Sequence, residues 1–189
     1  GSTPEDIYSM GRQNWFAAVG NEHKAVRERV GIFDQSSFAK YEMTGKDAAE
    51  ALSWICANNI PRVGRLVYTQ MLNTRGGIEC DLTVTRLAED VYYIVTGTGF
   101  ATHDFHWISS NIPKGCDAQL TDVTSSFGVL SLMGPRAREV LQAVSGEPAF
   151  GADVVAVDDE RDGLVLWHCG LAPLSMADPD VRPKAALHS

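Results

Sequence analysis

Asp81 stands just after a glycine-containing reversal, Thr74-Arg75-Gly76-Gly77, at the start of a run that alternates apolar and polar side chains, and Tyr68 lies on the run before that reversal. A fixed carboxylate so placed either moves a proton and stabilises a transient cation, or caps a turn and meets solvent. An aromatic ring on an amphipathic strand is either a platform for a flat ligand or part of the core. Whether Asp81 and Tyr68 face one cavity depends on the pairing register, which the residues alone leave open. Thr96-Gly97-Thr98-Gly99 ends a later apolar run, and its two glycines permit close backbone approach to a ligand.

Other reactive side chains carry less. His103 and His106 sit three apart on a predicted helix with only Asp104 beside them, so no metal site is expected. Four cysteines, Cys56, Cys80, Cys116 and Cys169, are widely spaced and form no C-x-x-C pair, which fits free thiols in a cytosolic protein. No G-x-G-x-x-G follows a predicted strand, so no flavin-binding domain is expected in this chain.

The elements that must position these residues follow from periodicity and punctuation. A helix is expected over 22–30, with Ala25, Val26 and Val30 on one stripe and Gly31 ending it. A strand over 38–43 leads through Gly45 to a helix over 48–57, and Asn58-Asn59 and Pro61 then reverse the chain. Strands over 66–73, 81–87 and 91–96 are joined by short reversals and so are antiparallel neighbours. A helix over 101–112 stops at Pro113, two strands cover 119–123 and 129–133, and Gly134-Pro135 opens a last helix carrying Ala137, Val140 and Leu141. The order β-α-β-β-β-α-β-β-α gives an α+β domain with a mainly antiparallel sheet.

The run 67–84, from Val67-Tyr68-Thr69-Gln70 through the reversal to Glu79-Cys80-Asp81-Leu82, resembles a hairpin of the folate-binding aminomethyltransferase module, the glycine-cleavage T-protein-like kind fused to dimethylglycine and sarcosine dehydrogenases. Gly31-Ile32-Phe33-Asp34-Gln35-Ser36-Ser37-Phe38-Ala39-Lys40 and Leu132-Met133-Gly134-Pro135-Arg136-Ala137 resemble two further segments of that module, so the likeness spans the first part of it, about 15–144. The resemblance implies tetrahydrofolate as cofactor, Asp81 as the catalytic carboxylate near its reactive nitrogens, Tyr68 as the aromatic residue near the bound folate, and Gly97, Thr98 and Gly99 as a loop touching the pterin. One-carbon transfer of this kind needs proton movement at a folate nitrogen and stabilisation of a transient cation, and a fixed carboxylate can do both. In the free T-proteins the loop usually carries an asparagine where Gly97 stands, so a side-chain hydrogen bond is missing here. The aromatic-x-Gly-Glu segment by which the second part of the module grips the pterin is not found.

After Gly146 the character changes to a charged turn, 158–163, a short apolar run, 164–167, and scattered prolines. The stretch 164–179 resembles a piece of the fucose and arabinose isomerase family, with His168 or His188 as a relic ligand, so 147–189 reads as an unrelated tail, 15–146 as the partial folate module and 1–14 as lead-in with a cloning remnant, Gly1-Ser2. The alternative function is a non-catalytic recombined chain that keeps the fold and self-associates. Across 189 residues, 44% are hydrophobic, enough for a core. The net charge of -8 disfavours nucleic acid as a partner, and no apolar run approaches the roughly 20 residues that cross a bilayer. The partner expected is a small-molecule folate, with a homo-oligomer as the alternative.

Overall fold

Alternating side chains and tight reversals build two sheets in this computed structural model, which describes residues 5–145 and the strands Val155–Asp158 and Leu164–Trp167. The chain begins with α1 (Phe16–Glu28), β1 (Gly31–Asp34), β2 (Ala39–Thr44) and α2 (Ala48–Ile55). It continues through β3 (Arg65–Leu72), β4 (Ile78–Ala88), β5 (Val91–Thr96) and α3 (Ala101–Asn111). β6 (Gln119–Asp122), β7 (Gly128–Met133), α4 (Ala137–Ser145), β8 (Val155–Asp158) and β9 (Leu164–Trp167) complete it.

One sheet has the order β3-β4-β5-β2-β6 and is antiparallel throughout, as the short reversals require. Period-two alternation divides its faces. Cys80, Leu82 and Val84 of β4 join Tyr41, Met43, Met71 and Ile94 in a core closed by Ala48, Ala51, Leu52 and Ile55 of α2 and Ile108 of α3. Tyr41 donates its hydroxyl to the Ala101 carbonyl and meets the Phe105 ring edge-on, which ties the start of α3 to the middle of the sheet. On the opposite face a smaller cluster, Tyr93 and Val95 under Phe38, Leu87, Val123 and Phe127, covers only part of the surface.

The second sheet, β1-β7-β9-β8, contains one parallel pair, β7 with β9. Here the structure departs from the sequence reading. Gly31 does not end a helix with left-handed backbone; it opens β1, which pairs with β7. A Cβ on Gly31 would lie 2.7 Å from the Val26 side chain, so the glycine is needed for close packing beneath α1. The helix itself starts at Phe16, well before the stripe that revealed it, because its first turns bury nothing and so carry no apolar period. The last helix starts at Ala137 rather than at the proline. Gly134 has φ +119°, and a Cβ there would lie 2.6 Å from the backbone oxygens of Val26 and Arg29.

β4 also begins earlier than expected, at Ile78, so Asp81 sits inside the strand. The pairing shifts by one residue between Met71 and Leu72, opposite Glu79, and again opposite Leu87. Both extra residues belong to β4.

Candidate functional site

The hairpin that carries Asp81 is closed by Asn73. Its backbone exchanges hydrogen bonds with Gly76 and Gly77, and its side-chain oxygen accepts from the backbone N–H of Arg75 (2.9 Å) and Gly77 (3.0 Å). Gly76, at φ +81°, supplies the left-handed residue that such a reversal demands. The outer edge of β3 is held as well. Ala57 donates its backbone N–H to the Gln70 carbonyl at 2.8 Å, and the Asn58 side chain donates to the Tyr68 carbonyl at 2.8 Å.

The register fixes the relation between the two residues that the family resemblance singled out. Gln70 pairs with Asp81 and Tyr68 with Thr83, so Tyr68, Gln70 and Asp81 project from one face of the sheet. Gln70 donates its side-chain amide to the Asp81 carboxylate at 3.4 Å. Asp81 also accepts from the Tyr68 hydroxyl, and this bond holds the phenolic proton and pushes the Tyr68 pKa above its ordinary value. Tyr68 is 55% exposed, so its ring is an open surface and not core. Asp81 is exposed too. Gln70, which completes the trio, was not singled out from the sequence, because a polar residue on the solvent face of an edge strand has no distinguishing pattern.

The loop after β5 begins beside Asp81. Leu82 pairs with Thr96, so Gly97 follows on β5 alongside Asp81 on β4. Gly97 has φ -63° and ψ 140°, ordinary extended backbone, and a Cβ there would meet Phe100 at 3.6 Å, a normal contact. Nothing lies within 4 Å of a Cβ on Gly99. The Thr98 hydroxyl donates to the Ser37 carbonyl at 2.8 Å, so Thr98 anchors the loop to the turn before β2 instead of offering its side chain outward. The register thus brings Tyr68 and Asp81 together and starts the 97–99 loop beside Asp81, while Thr98 is held toward the β2 side.

The histidine pair separates. His106 Nδ1 lies 3.1 Å from Ser110 Oγ, whereas His103 meets Asp104 at 2.9 Å and Glu79 at 3.6 Å. Cys80 joins His103 and Asp104 from β4, across the core face. No spacing rule links residue 80 to residue 103. Cys56, Cys80 and Cys116 are free thiols, and burial pushes the Cys56 thiol up to about 12. His168 and His188, with the rest of the isomerase-like stretch beyond the β9 backbone, lie outside the described residues.

No helix among the described residues is long and apolar enough to cross a membrane. The family described as GCVT N-terminal domain matches residues 3–156. The chain is 39% identical over 140 residues to mitochondrial dimethylglycine dehydrogenase of Rattus norvegicus, a match covering 74% of the chain and 16% of that protein. It is 40% identical over 148 residues to the formaldehyde-forming 4-methylaminobutanoate oxidase of Paenarthrobacter nicotinovorans, covering 78% of the chain and 18% of the oxidase. The chain therefore spans under a fifth of the length of these relatives. The glycine cleavage system aminomethyltransferase T of Bartonella henselae superposes with a TM-score of 0.61 at 33% identity, over 68% of the chain and 35% of that structure. With the matched family model spanning most of the sequence and an α+β fold shared with a solved aminomethyltransferase, the chain belongs to the GCVT N-terminal domain family.

Proposed function

We propose that the chain contributes the Asp81 wall of a tetrahydrofolate site in a one-carbon, aminomethyl-transferring protein. The observation that carries this reading is the shared face of Tyr68, Gln70 and Asp81, with the Tyr68 hydroxyl bonded to the Asp81 carboxylate beside a glycine loop. The donor set fits a reduced pterin. An exposed phenol ring offers a flat apolar face, a carboxylate and an amide accept from ring N–H groups, and the 97–99 backbone is open to close approach. Tetrahydrofolate, when bound, supplies the nitrogens that receive the one-carbon unit. Asp81 holds or takes up a proton at its carboxylate oxygens and balances positive charge next to it. Gln70 and Tyr68 fix the carboxylate's orientation, and Tyr68 excludes water from one side. The kinship with dimethylglycine dehydrogenase favours a secondary or tertiary amine as the source of the carbon unit, already oxidised to its iminium by a separate dehydrogenase activity before it reaches Asp81.

Calorimetry with tetrahydrofolate tests this. Saturable heat is expected, with Tyr68→Ala weakening binding about tenfold, the equivalent of about 1.4 kcal/mol. Asp81→Asn should bind but lose transfer when an aminomethyl or iminium donor, already at the formaldehyde oxidation level, is supplied. Absence of heat, together with absence of thermal protection by the ligand, overturns the reading.

A second reading, a non-catalytic or recombined chain that keeps the fold and self-associates, is favoured by one observation. Phe16 and Val19 of α1 and Ile32 and Phe33 of β1 are large apolar side chains exposed by 41 to 61%. The free thiols fit a reducing compartment, so a cytoplasmic location belongs to the proposal, although the dimethylglycine dehydrogenase relative bears a mitochondrial name.

A further inference from the structure

On the face of β4 opposite Asp81, a sulfur, an imidazole nitrogen and a carboxylate oxygen from Cys80, His103 and Asp104 lie within 4.8 Å of one another. Cys80 and Asp104 are 2% and 1% exposed, while the His103 side chain is 50% exposed. The cluster therefore has a dry floor and an open mouth. Its members are fixed from behind. Thr96 Oγ1 donates to Asp104 Oδ2 at 2.5 Å, which leaves Oδ1 facing His103 Nδ1 at 2.9 Å. On the other side of the ring, Glu79 Oε2 lies 3.6 Å from His103 Nε2, and Asn73 Nδ2 anchors that carboxylate by donating to Oε1 at 2.7 Å. The register shift opposite Glu79 lets this residue reach the histidine while Asp81, two residues on, points the other way.

An imidazole with one nitrogen toward a thiol and a carboxylate, and the other toward an anchored carboxylate, has the orientation found in metal-bound histidines. We propose that Cys80, His103 and Asp104 bind a zinc-class divalent cation, with three protein ligands and a fourth position open to water at the His103 side. Sulfur and imidazole together favour zinc or cobalt over magnesium or calcium. Tetrahedral bonds of about 2.3 Å to sulfur and about 2.0 Å to nitrogen or oxygen place donor atoms roughly 3.5 Å apart. Closure from the 4.8 Å limit thus needs a movement of about 1 Å, within reach of the half-exposed His103. Binding forms a sulfur–metal bond and releases the Cys80 thiol proton to solvent. The Asp104 carboxylate and the Cys80 thiolate balance the two charges of the cation, and the Glu79 carboxylate faces the far nitrogen of the His103 ring.

The site lies on the core face and does not depend on the folate reading. The test uses the full chain, stripped with a chelator and titrated with Co(II) under reducing conditions, followed by displacement with Zn(II). A thiolate-to-cobalt charge-transfer absorption saturating at a single equivalent per chain is expected, with proton release on zinc binding. Cys80→Ser should abolish that absorption. Because Cys80 is buried, its variant is paired with His103→Ala, which leaves the core intact and should weaken cobalt binding at least tenfold; circular dichroism confirms the fold of each. Lack of the absorption, its survival in Cys80→Ser through another thiol, or unchanged affinity in folded His103→Ala overturns the proposal.

Discussion

The bond from Tyr68 to Asp81 has a readout independent of any ligand. Because the carboxylate accepts from the phenol, the protonated form of Tyr68 is favoured, and the phenol ionises above its ordinary 10.0. In Asp81→Asn that influence is gone. A difference spectrum of phenolate formation should therefore show one tyrosine titrating at lower pH in the variant than in the parent, and coincident curves would show that the bond does not persist in solution. The resemblance of the 67–84 hairpin to the folate module was enough to single out Asp81 and Tyr68 as candidates. It was not enough to show that they meet, because an offset of one residue in pairing would have sent them to opposite faces. Cys80 was invisible for a different reason. A buried cysteine on an alternating strand reads as a small apolar residue, and its partners come from a helix that only the fold brings near.

At the scale of elements, strands and helices with one buried face were legible, since burial imposes the period that sequence displays. β2 to β5, α2 and α3 fall close to where alternation and reversal residues put them. β1 was not, and its burial explains this: Ile32 and Phe33 are both exposed, so the strand has no alternation to read. Gly134 was read as punctuation before a helix. Its structural role is tighter, since α1 lays the carbonyls of Val26 and Arg29 against it, and the Arg29 carbonyl accepts from the backbone N–H of Arg136 at 2.9 Å. Gly134→Ala would combine left-handed strain with a backbone clash, and a loss of about 3 kcal/mol in chemical denaturation is expected. A Gly99→Ala control, with open space and no left-handed backbone, should be close to neutral.

At the scale of the molecule, the five-stranded sheet has one face sealed by α2 and α3 and the other, among the described residues, only partly covered, with Tyr68 exposed on it. The apolar side chains exposed on β1 belong to the other sheet, and those on α1 to the helix that packs against β1. If they are an association surface, light scattering should show mass rising with concentration, and Phe16→Ser combined with Ile32→Ser should abolish the rise; a concentration-independent monomer mass in the parent would remove the second reading. Net charge opposes such contacts only weakly at physiological salt, because the Debye length is about 8 Å.

The two extra residues of β4 make the strand unequally tolerant of changes in chain length. Between Glu79 and Leu87 the ladder runs in strict step, so losing one residue there would exchange inside and outside, turning Asp81 toward the core and a core residue toward the ligand face. Losing Leu87 itself would merely straighten the ladder, at the cost of its packing beside Tyr93. Insertions and deletions in natural variants of this strand should accordingly gather at its two irregular ends, leaving the interval that holds Cys80 and Asp81 at fixed length.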